Sequence, residues 1–144
     1  MKLNYLEKPG QNWFRALPKT KEHPRHYETI VDLEITLSNG FILKTKAGDI
    51  WDGASVPSWL HWLFKPIDEG ALGDYIHDKL WERKKEQLEK FNYNFYKARK
   101  FADAERMNYR LDHAPKRKYF NTISNLIIRL IGGLYYSRQI KIPN

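Results

Sequence analysis

The fold of this 144-residue chain depends on one stretch, Gly73-Asp74-Tyr75-Ile76-His77-Asp78-Lys79-Leu80-Trp81. The apolar residues Leu72, Ile76 and Leu80 lie four positions apart, a spacing that predicts an α-helix with one side facing a core. The opposite side gathers two carboxylates, an imidazole and an indole, from Asp74, His77, Asp78 and Trp81. Few purely structural helices need such a set, so this helix is the first place to look for a functional site.

The length and composition predict one folded domain spanning 1–144. Hydrophobic residues make up 42% of the chain and charged residues 29%, which does not indicate disorder. The chain has no cysteine, which excludes disulfides, iron–sulfur clusters and thiolate zinc sites. Any metal would need oxygen or histidine ligands. The lack of disulfides suits a reducing cytoplasm or a virus particle assembled in one.

The formal net charge of +8 is compatible with nucleic acid, an anionic membrane surface or an acidic substrate as partner, or simply with a solvated basic surface. The basic residues stand in short groups such as Lys116-Arg117-Lys118, and no nucleic-acid recognition motif accompanies them. Residues 1–7 lack the apolar core of a signal peptide. The longest apolar run, 123–136, is too short for a membrane span and contains Arg129, so we expect no transmembrane segment.

The order of patterns predicts an α+β fold, with a small antiparallel sheet in the N-terminal half packed with a three-helix C-terminal part. Residues 1–26 are rich in proline and resemble an irregular arm, with a short strand near Asn4. Residues 27–51 alternate apolar and polar side chains around the turn Ser38-Asn39-Gly40, which indicates a β-hairpin and a further strand over 47–51. Residues 52–70 form a loop that carries a motif.

Helices are predicted over 71–136, in three segments. The first starts near Ala71, the second covers about 95–111, and the third about 118–136. Asn92-Tyr93-Asn94 is expected to interrupt the helical pattern. The third helix carries an apolar stripe at helical spacing, consisting of Ile123, Ile127, Leu130 and Leu134.

His77 and Asp78 suggest acid–base chemistry. A carboxylate on one ring nitrogen of a histidine fixes the tautomer and leaves the other nitrogen free to activate water, while Asp78 could hold a cation. The alternative is a buried histidine satisfied by a neighbouring helix. Asp103, on the following helix, would lie alongside His77 if the two helices pack antiparallel. The alternative for Asp103 is an exposed carboxylate paired with Arg99 or Arg106.

The loop Asp52-Gly53-Ala54-Ser55-Val56-Pro57 supplies oxygen ligands from Asp52 and Ser55, and Gly53 permits close approach of the backbone to an ion or substrate. A tight turn with a side-chain hydrogen bond explains the same residues. The chain has no phosphate-binding glycine loop, no His-Glu-x-x-His zinc helix and no nucleophile elbow.

Three blocks, Asp52-Gly53-Ala54-Ser55-Val56-Pro57, His77-Asp78 with Trp81, and Ala102-Asp103, resemble a bacteriophage and prophage family catalogued as domain of unknown function 1353. The blocks occur in the family's order, and the resemblance covers about 27–136. The chain departs from the family at Glu105, where a large apolar residue is usual. This resemblance implies a viral origin, with the host bacterial cytoplasm or the virion as location, but no established activity.

The His-Asp helix is also similar, more distantly, to that of phospholipase A2. That likeness implies His77 as the base that activates water, Asp103 as the carboxylate that orients it and Asp78 as a calcium ligand. The glycine-rich calcium loop of those enzymes is absent, so Asp52 and the backbone of 53–55 would have to replace it. Asp74, Trp81, Gly53 and Ser55 would line the substrate side.

These observations lead to one expected function and two alternatives. The expected function is a phage-encoded hydrolase-like protein with a His-Asp/Asp site that uses a divalent cation, calcium before others. The first alternative is a virion structural or assembly protein that binds capsid, neck or tail proteins. The second is a basic host-takeover protein that binds nucleic acid.

Overall fold

A computed structural model describes residues 2–4, 12–21, 26–51, 69–82, 89–92 and 94–138, with side chains for all of these except 2–4 and 132–138. The chain divides into two compact units, Met1–Ser55 and Val56–Asn144. The first unit contains the β-strands and the second contains the helices, so the predicted α+β class is confirmed.

Six strands of the N-terminal unit are seen within the described residues: β1 (Lys2–Asn4), β2 (Phe14–Ala16), β3 (Tyr27–Thr29), β4 (Leu33–Thr36), β5 (Ile42–Thr45) and β6 (Ile50–Trp51). They form two three-stranded antiparallel sheets, with orders β1-β4-β5 and β2-β3-β6. The arm predicted to be irregular thus supplies one strand to each sheet. The expected strand over 47–51 is shorter, because residues 47 and 48 form a turn.

The first sheet follows directly from the alternating sequence. Leu33, Ile35 and Leu43 are buried and their neighbours on the strands are more exposed, as a half-buried hairpin requires. The turn between β4 and β5 has Gly40 at φ +81°, a conformation that L side chains rarely adopt. The side chain of Asn39 accepts a hydrogen bond from the Phe41 N–H at 3.1 Å. The predicted hairpin is therefore confirmed, with its turn chemistry.

Aromatic side chains hold the second sheet together. Trp51 stacks on Trp13 with ring centroids 5.6 Å apart, and it also contacts the rings of Phe14 and Tyr27. The Thr29 hydroxyl donates to the Lys46 carbonyl and accepts from the Asp49 N–H, which fixes the turn before β6. The high aromatic content of the N-terminal region thus serves packing in this sheet.

The C-terminal unit contains α1 (Ala71–Glu82), α2 (Phe95–His113), a single 3₁₀ turn (Pro115–Arg117) and α3 (Lys118–Arg138). Asn92 has φ +51° and Asn94 caps α2 by accepting a hydrogen bond from the Lys97 N–H at 2.9 Å. The predicted break at 92–94 is confirmed in its described residues. The start of α1 and both ends of α2 and α3 lie within two residues of the predicted positions.

α1 differs from the predicted amphipathic helix, because nine of its twelve residues are buried. The apolar side formed by Leu72, Ile76 and Leu80 faces a core as expected. The opposite side, with Asp74 and His77, is buried as well. A helix enclosed on all sides must satisfy its polar groups internally, and the partners come from α2.

Candidate functional site

α1 and α2 pack in opposite directions, because successive α1 residues meet α2 residues of decreasing number. Gly70, just before α1, lies against Arg110, Asp74 pairs with Arg106, and His77 pairs with Asp103. The antiparallel arrangement predicted for two consecutive helices is therefore present. It turns two separate polar faces into one buried interface.

The centre of this interface is a hydrogen bond between the Nε2 atom of His77 and the Oδ1 atom of Asp103, 2.9 Å long. Both side chains are buried, with 3% and 1% of their surfaces exposed. An exposed Asp103 paired with Arg99 or Arg106 was the alternative from sequence, and the structure excludes it. A neutral imidazole that donates from Nε2 keeps its lone pair on Nδ1. Asp103 is thus placed to fix the tautomer and the orientation of His77.

The other ring nitrogen of His77 faces Asp78. The Nδ1 atom lies 3.6 Å from the Asp78 Oδ1 atom, which is longer than a direct hydrogen bond but close enough for the carboxylate to stabilise a positive charge on the ring. The Trp81 ring lies at 5.1 Å from the His77 ring, tilted by 36°. Trp81 therefore lies beside the imidazole as the sequence predicted, and the ring is held between two carboxylates and an indole.

Two opposing effects act on the pKa of His77. Burial removes water from the imidazolium and by itself lowers the pKa, while the hydrogen bonds to Asp103 and Asp78 and the negative charges of both carboxylates raise it. The net result is a pKa raised above the ordinary value of 6.5. His77 therefore holds a proton more readily than a free histidine does, even though it is buried.

Unused hydrogen-bonding capacity lies on the same face of α2. Within the described part of the chain, the buried atoms Asp103 Oδ2, Arg106 Nη1 and Arg99 Nε have no hydrogen-bond partner. Arg99, Asp103 and Arg106 follow one another at one-turn spacing, so these atoms belong to one strip of the helix. Buried polar atoms without partners are rare in native proteins and are frequent where a ligand or an ordered water completes the structure.

Asp74 has a different role from the one predicted. Its Oδ1 accepts from Arg106 Nε at 2.5 Å and its Oδ2 accepts from Arg110 Nη1 at 2.7 Å, and all three side chains are buried. Both carboxylate oxygens are engaged by guanidinium groups, so Asp74 forms a buried ion pair with two arginines of α2. A carboxylate that bridges two arginines ties α1 to two successive turns of α2.

The same arginines connect α2 to α3. Arg106 donates from Nη2 to the Ser124 hydroxyl at 3.0 Å, and Arg110 donates from Nε to the Asn121 side-chain oxygen at 2.9 Å. Asn121 in turn donates to the Ala114 carbonyl at 3.0 Å. From sequence, Arg106 was considered only as a surface partner of Asp103, and Arg110 and Asn121 were not predicted to take part. The available signal was the one-turn spacing of Asp103, Arg106 and Arg110 on a helix with few apolar residues.

Two glycines permit this close packing. A Cβ on Gly70 would lie 2.6 Å from Arg110 Nη1, and a Cβ on Gly73 would lie 3.1 Å from the Arg106 carbonyl and from the Tyr109 ring. Tyr109 itself stacks on His113 with ring centroids 4.0 Å apart. Burial raises the pKa of Tyr109 to about 12. The start of α1 thus rests directly on the backbone and arginines of α2.

Asp52, Gly53 and Ser55 lie outside the described residues, so the predicted loop adds no geometry to the site. Among the residues that the structure describes, no group of three or more histidine or acidic side chains is arranged to hold a metal ion. Asp78, the predicted calcium ligand, lies next to His77 and is partly buried. No described helix is long and apolar enough to cross a membrane.

Comparison of the chain with protein-family models, with curated proteins and with solved structures finds no match.

Proposed function

We propose that this protein is a phage-encoded hydrolase in which His77 is the general base and Asp103 its positioning carboxylate. The observation that supports this proposal is the buried 2.9 Å hydrogen bond between His77 Nε2 and Asp103 Oδ1. A helix pair that needed only a buried polar contact has one in Asp74 with Arg106 and Arg110. The separate His77–Asp103 pair holds the imidazole in one orientation, so that its basic Nδ1 atom has a fixed position.

In the proposed mechanism, Asp103 accepts the hydrogen bond from Nε2–H, and Nδ1 accepts a proton from a water molecule that enters with the substrate. The hydroxide equivalent formed in this way attacks the electrophilic carbon or phosphorus of an ester-like substrate. The imidazolium that results is stabilised by the Asp103 and Asp78 carboxylates, and it then returns the proton to the leaving group. Positioned bases of this kind contribute about 10² to 10⁴-fold to a rate.

The raised pKa of His77 sets the pH range in which it can act. Because the two carboxylates outweigh the effect of burial on the ring, the imidazole is a neutral base only above that raised pKa. The proposal therefore includes a rate that increases as pH rises through a pKa above 6.5. A histidine buried without carboxylates would show the opposite shift.

Calcium remains part of the proposal through Asp78. A carboxylate oxygen is a ligand that Ca²⁺ prefers, and Asp78 is joined in the proposal by Asp52, which lies outside the described residues. A bound divalent cation would supply electrostatic stabilisation of the developing negative charge. Adding calcium to the chelated protein should increase the rate of wild type and leave Asp78→Asn unchanged.

The test is an activity screen with matched histidine variants. The purified full chain is incubated with chromogenic carboxylic esters, phosphodiesters and peptidoglycan fragments, with calcium and with chelator. We expect turnover of one class and a loss of at least about 100-fold in His77→Gln. His113→Gln changes an exposed histidine of α2 and should retain full activity. Equal activity of His77→Gln and wild type would refute the proposal.

A second function, that of a virion or assembly protein, is favoured by one observation. His77 is only 3% exposed, which is the burial of a core side chain. In that case the His77–Asp103 pair would stabilise the helices, and the protein would form a stoichiometric complex with a capsid, neck or tail protein. Asp103→Asn would then lower the melting temperature and weaken the complex, while no substrate of the screen would be turned over by wild type.

A further inference from the structure

α3 has its polar side inside and an apolar side outside. The buried side chains facing α2 include Asn121, Ser124 and Asn125. The exposed side carries large hydrophobic residues with the following exposed fractions: Tyr119 84%, Ile123 49%, Leu126 56% and Leu130 67%. Of the predicted apolar stripe of the third helix, Ile123 and Leu130 belong to the exposed side and Ile127 is half-buried, while the side chain of Leu134 lies outside the described residues.

The arginines of α2 explain this inversion. Arg106 and Arg110 are buried and need hydrogen-bond acceptors, which Ser124 and Asn121 provide. Because these polar residues of α3 are required there, Tyr119, Ile123, Leu126 and Leu130 are turned outward, while Ile128 remains buried and Phe120 lies against Arg110. Tyr119, Ile123, Leu126 and Leu130, which we call the apolar strip, follow each other at intervals of four, three and four residues. They lie within a narrow sector of the helix and extend over about 16 Å.

The segment of sequence that carries the apolar strip contains basic residues and no acidic one, and of its basic side chains Arg117 is paired with Glu69. Asp112 is the last acidic residue of the sequence, so 113–144 contains none. The basic residues of the same segment are Lys116, Arg117, Lys118, Arg129, Arg138 and Lys141. These six positive charges form most of the net charge of +8 of the whole chain. The segment combines a strong basic charge with an exposed hydrophobic face.

Lys118 and Arg129 lie on the same flank of the apolar strip. At 100° per residue, both point about 90° away from the centre of the apolar strip, between it and the buried polar side. Both residues are exposed. An amphipathic helix with aliphatic residues on one sector and basic residues at its border is the arrangement that lies in the interface of a lipid bilayer.

We propose that the apolar strip of α3 docks on an anionic membrane surface. The aliphatic side chains would enter the boundary between headgroups and acyl chains, and Lys118 and Arg129 would contact lipid phosphates. A second copy of the chain fits less well, because two such faces would bring segments of equal positive charge together. Nucleic acid would neutralise the positive charge of the segment, but it would offer no apolar surface to Ile123, Leu126 and Leu130.

The inference does not depend on the proposed hydrolase activity, since none of its residues contacts His77 or Asp103 in the described structure. The experiment uses the full chain and vesicles of phosphatidylcholine alone or with phosphatidylglycerol, with flotation as the readout. We expect binding only to vesicles that contain phosphatidylglycerol, and weaker binding as salt increases.

Variants of exposed residues separate the hydrophobic from the electrostatic contribution. Leu126→Ser should weaken binding by at least about tenfold, because a leucine side chain is withdrawn from the bilayer. Ile42→Ser on β5 removes a similarly exposed aliphatic residue elsewhere and should have no effect. Arg129→Gln should weaken binding by about fivefold, whereas the exposed Lys100→Gln on α2 should not. Circular dichroism confirms that each variant is folded.

Three results would overturn the proposal. The first is no binding to phosphatidylglycerol vesicles, and the second is equal binding by wild type and Leu126→Ser. The third is a stable dimer, or a complex with an acidic protein, that is lost in Leu126→Ser while vesicle binding is absent. The third result would assign the apolar strip to a protein partner.

Discussion

His77 and Asp103 are 26 positions apart in the sequence, and their side chains meet at 2.9 Å in the interior of the helical unit. The contact needs α1 and α2 to be antiparallel and in one particular register. Both residues lie beside a second buried pairing, that of Asp74 with Arg106 and Arg110. The interface is therefore polar along its length, and each polar pair supports the position of the other.

The first prediction concerns the pKa of His77. Asp103→Asn removes one of the carboxylates that raise this pKa, so the pKa of His77 should fall and burial should then dominate. The measurement is the pH dependence of the His77 ring signals by NMR, in wild type and in Asp103→Asn. The ring of His113, assigned in the same spectra, serves as internal control. An unchanged pKa of His77 would contradict the proposed role of Asp103.

The same shift determines how stability depends on pH. Because the folded-state pKa of His77 is raised above 6.5, the folded protein binds a proton more tightly than the unfolded chain does. The resulting stabilisation is fully present below the unfolded pKa and is lost as pH rises through the folded one. The free energies of unfolding of wild type and His77→Gln, measured with urea at several pH values, should therefore converge as pH increases. A difference between the two proteins that does not change with pH would contradict this linkage.

The second prediction concerns Asp74. Asp74→Asn leaves Arg106 and Arg110 buried without their shared counter-charge, and this should reduce the free energy of unfolding by about 3–5 kcal/mol. Chemical denaturation measures the loss. Glu34→Gln removes the carboxylate of the exposed pair with Lys44 and should change the free energy by less than about 1 kcal/mol. Similar losses of unfolding free energy in both variants would show that the buried ion pair stabilises the protein no more than the exposed one does.

The third prediction concerns Gly70, whose carbonyl accepts the first hydrogen bonds of α1 from Gly73 and Asp74. Gly70→Ala places a Cβ 2.6 Å from Arg110 Nη1 and 2.9 Å from its Cγ. Arg110 is fixed by Asp74 and Asn121 and cannot move without breaking those bonds, so we expect a loss of about 1–3 kcal/mol. Gly70→Ser restores a favoured capping residue but keeps the Cβ. If Gly70→Ser is as stable as wild type, the loss in Gly70→Ala comes from a missing helix cap and not from crowding by the Cβ.

The fourth prediction concerns Tyr109. Its pKa is raised from 10.0 to about 12 by burial, so the phenol ionises in the unfolded chain before it ionises in the folded protein. The free energy of unfolding should therefore fall as pH rises from 10.0 to about 12. Tyr109→Phe should reduce that fall, while Tyr119→Phe, at a largely exposed position, should not. Phenolate absorbance during the titration checks the assignment.

Much of the local structure follows from short-range patterns. The alternation around Asn39 and Gly40 predicts the hairpin, because a period of two and a turn that accepts positive φ are local properties. The helix boundaries near Ala71, Phe95 and Lys118 follow from periodicity and from the break at Asn92 and Asn94 in the same way. These elements form where their own residues favour them.

The N-terminal arm shows where the patterns are weak. β1 confirms the short strand predicted near Asn4, whereas β2 was not predicted, and both three-residue strands exist because β4 and β3 offer partners. Pairing across a sheet is a long-range property, so the proline-rich sequence around these strands gave little indication of it.

The sequence by itself determined which residues are available for a site: a helix bearing His77 and Asp78, and a carboxylate at Asp103 on the next helix. Only the tertiary structure decided that Asp103 meets His77, that both oxygens of Asp74 pair with arginines, and that α3 exposes four of its large hydrophobic residues. The physical reason is the cost of burying charge. Once Arg106 and Arg110 lie inside, Ser124 and Asn121 of α3 are held against them as hydrogen-bond acceptors, and Tyr119, Ile123, Leu126 and Leu130 lie outside.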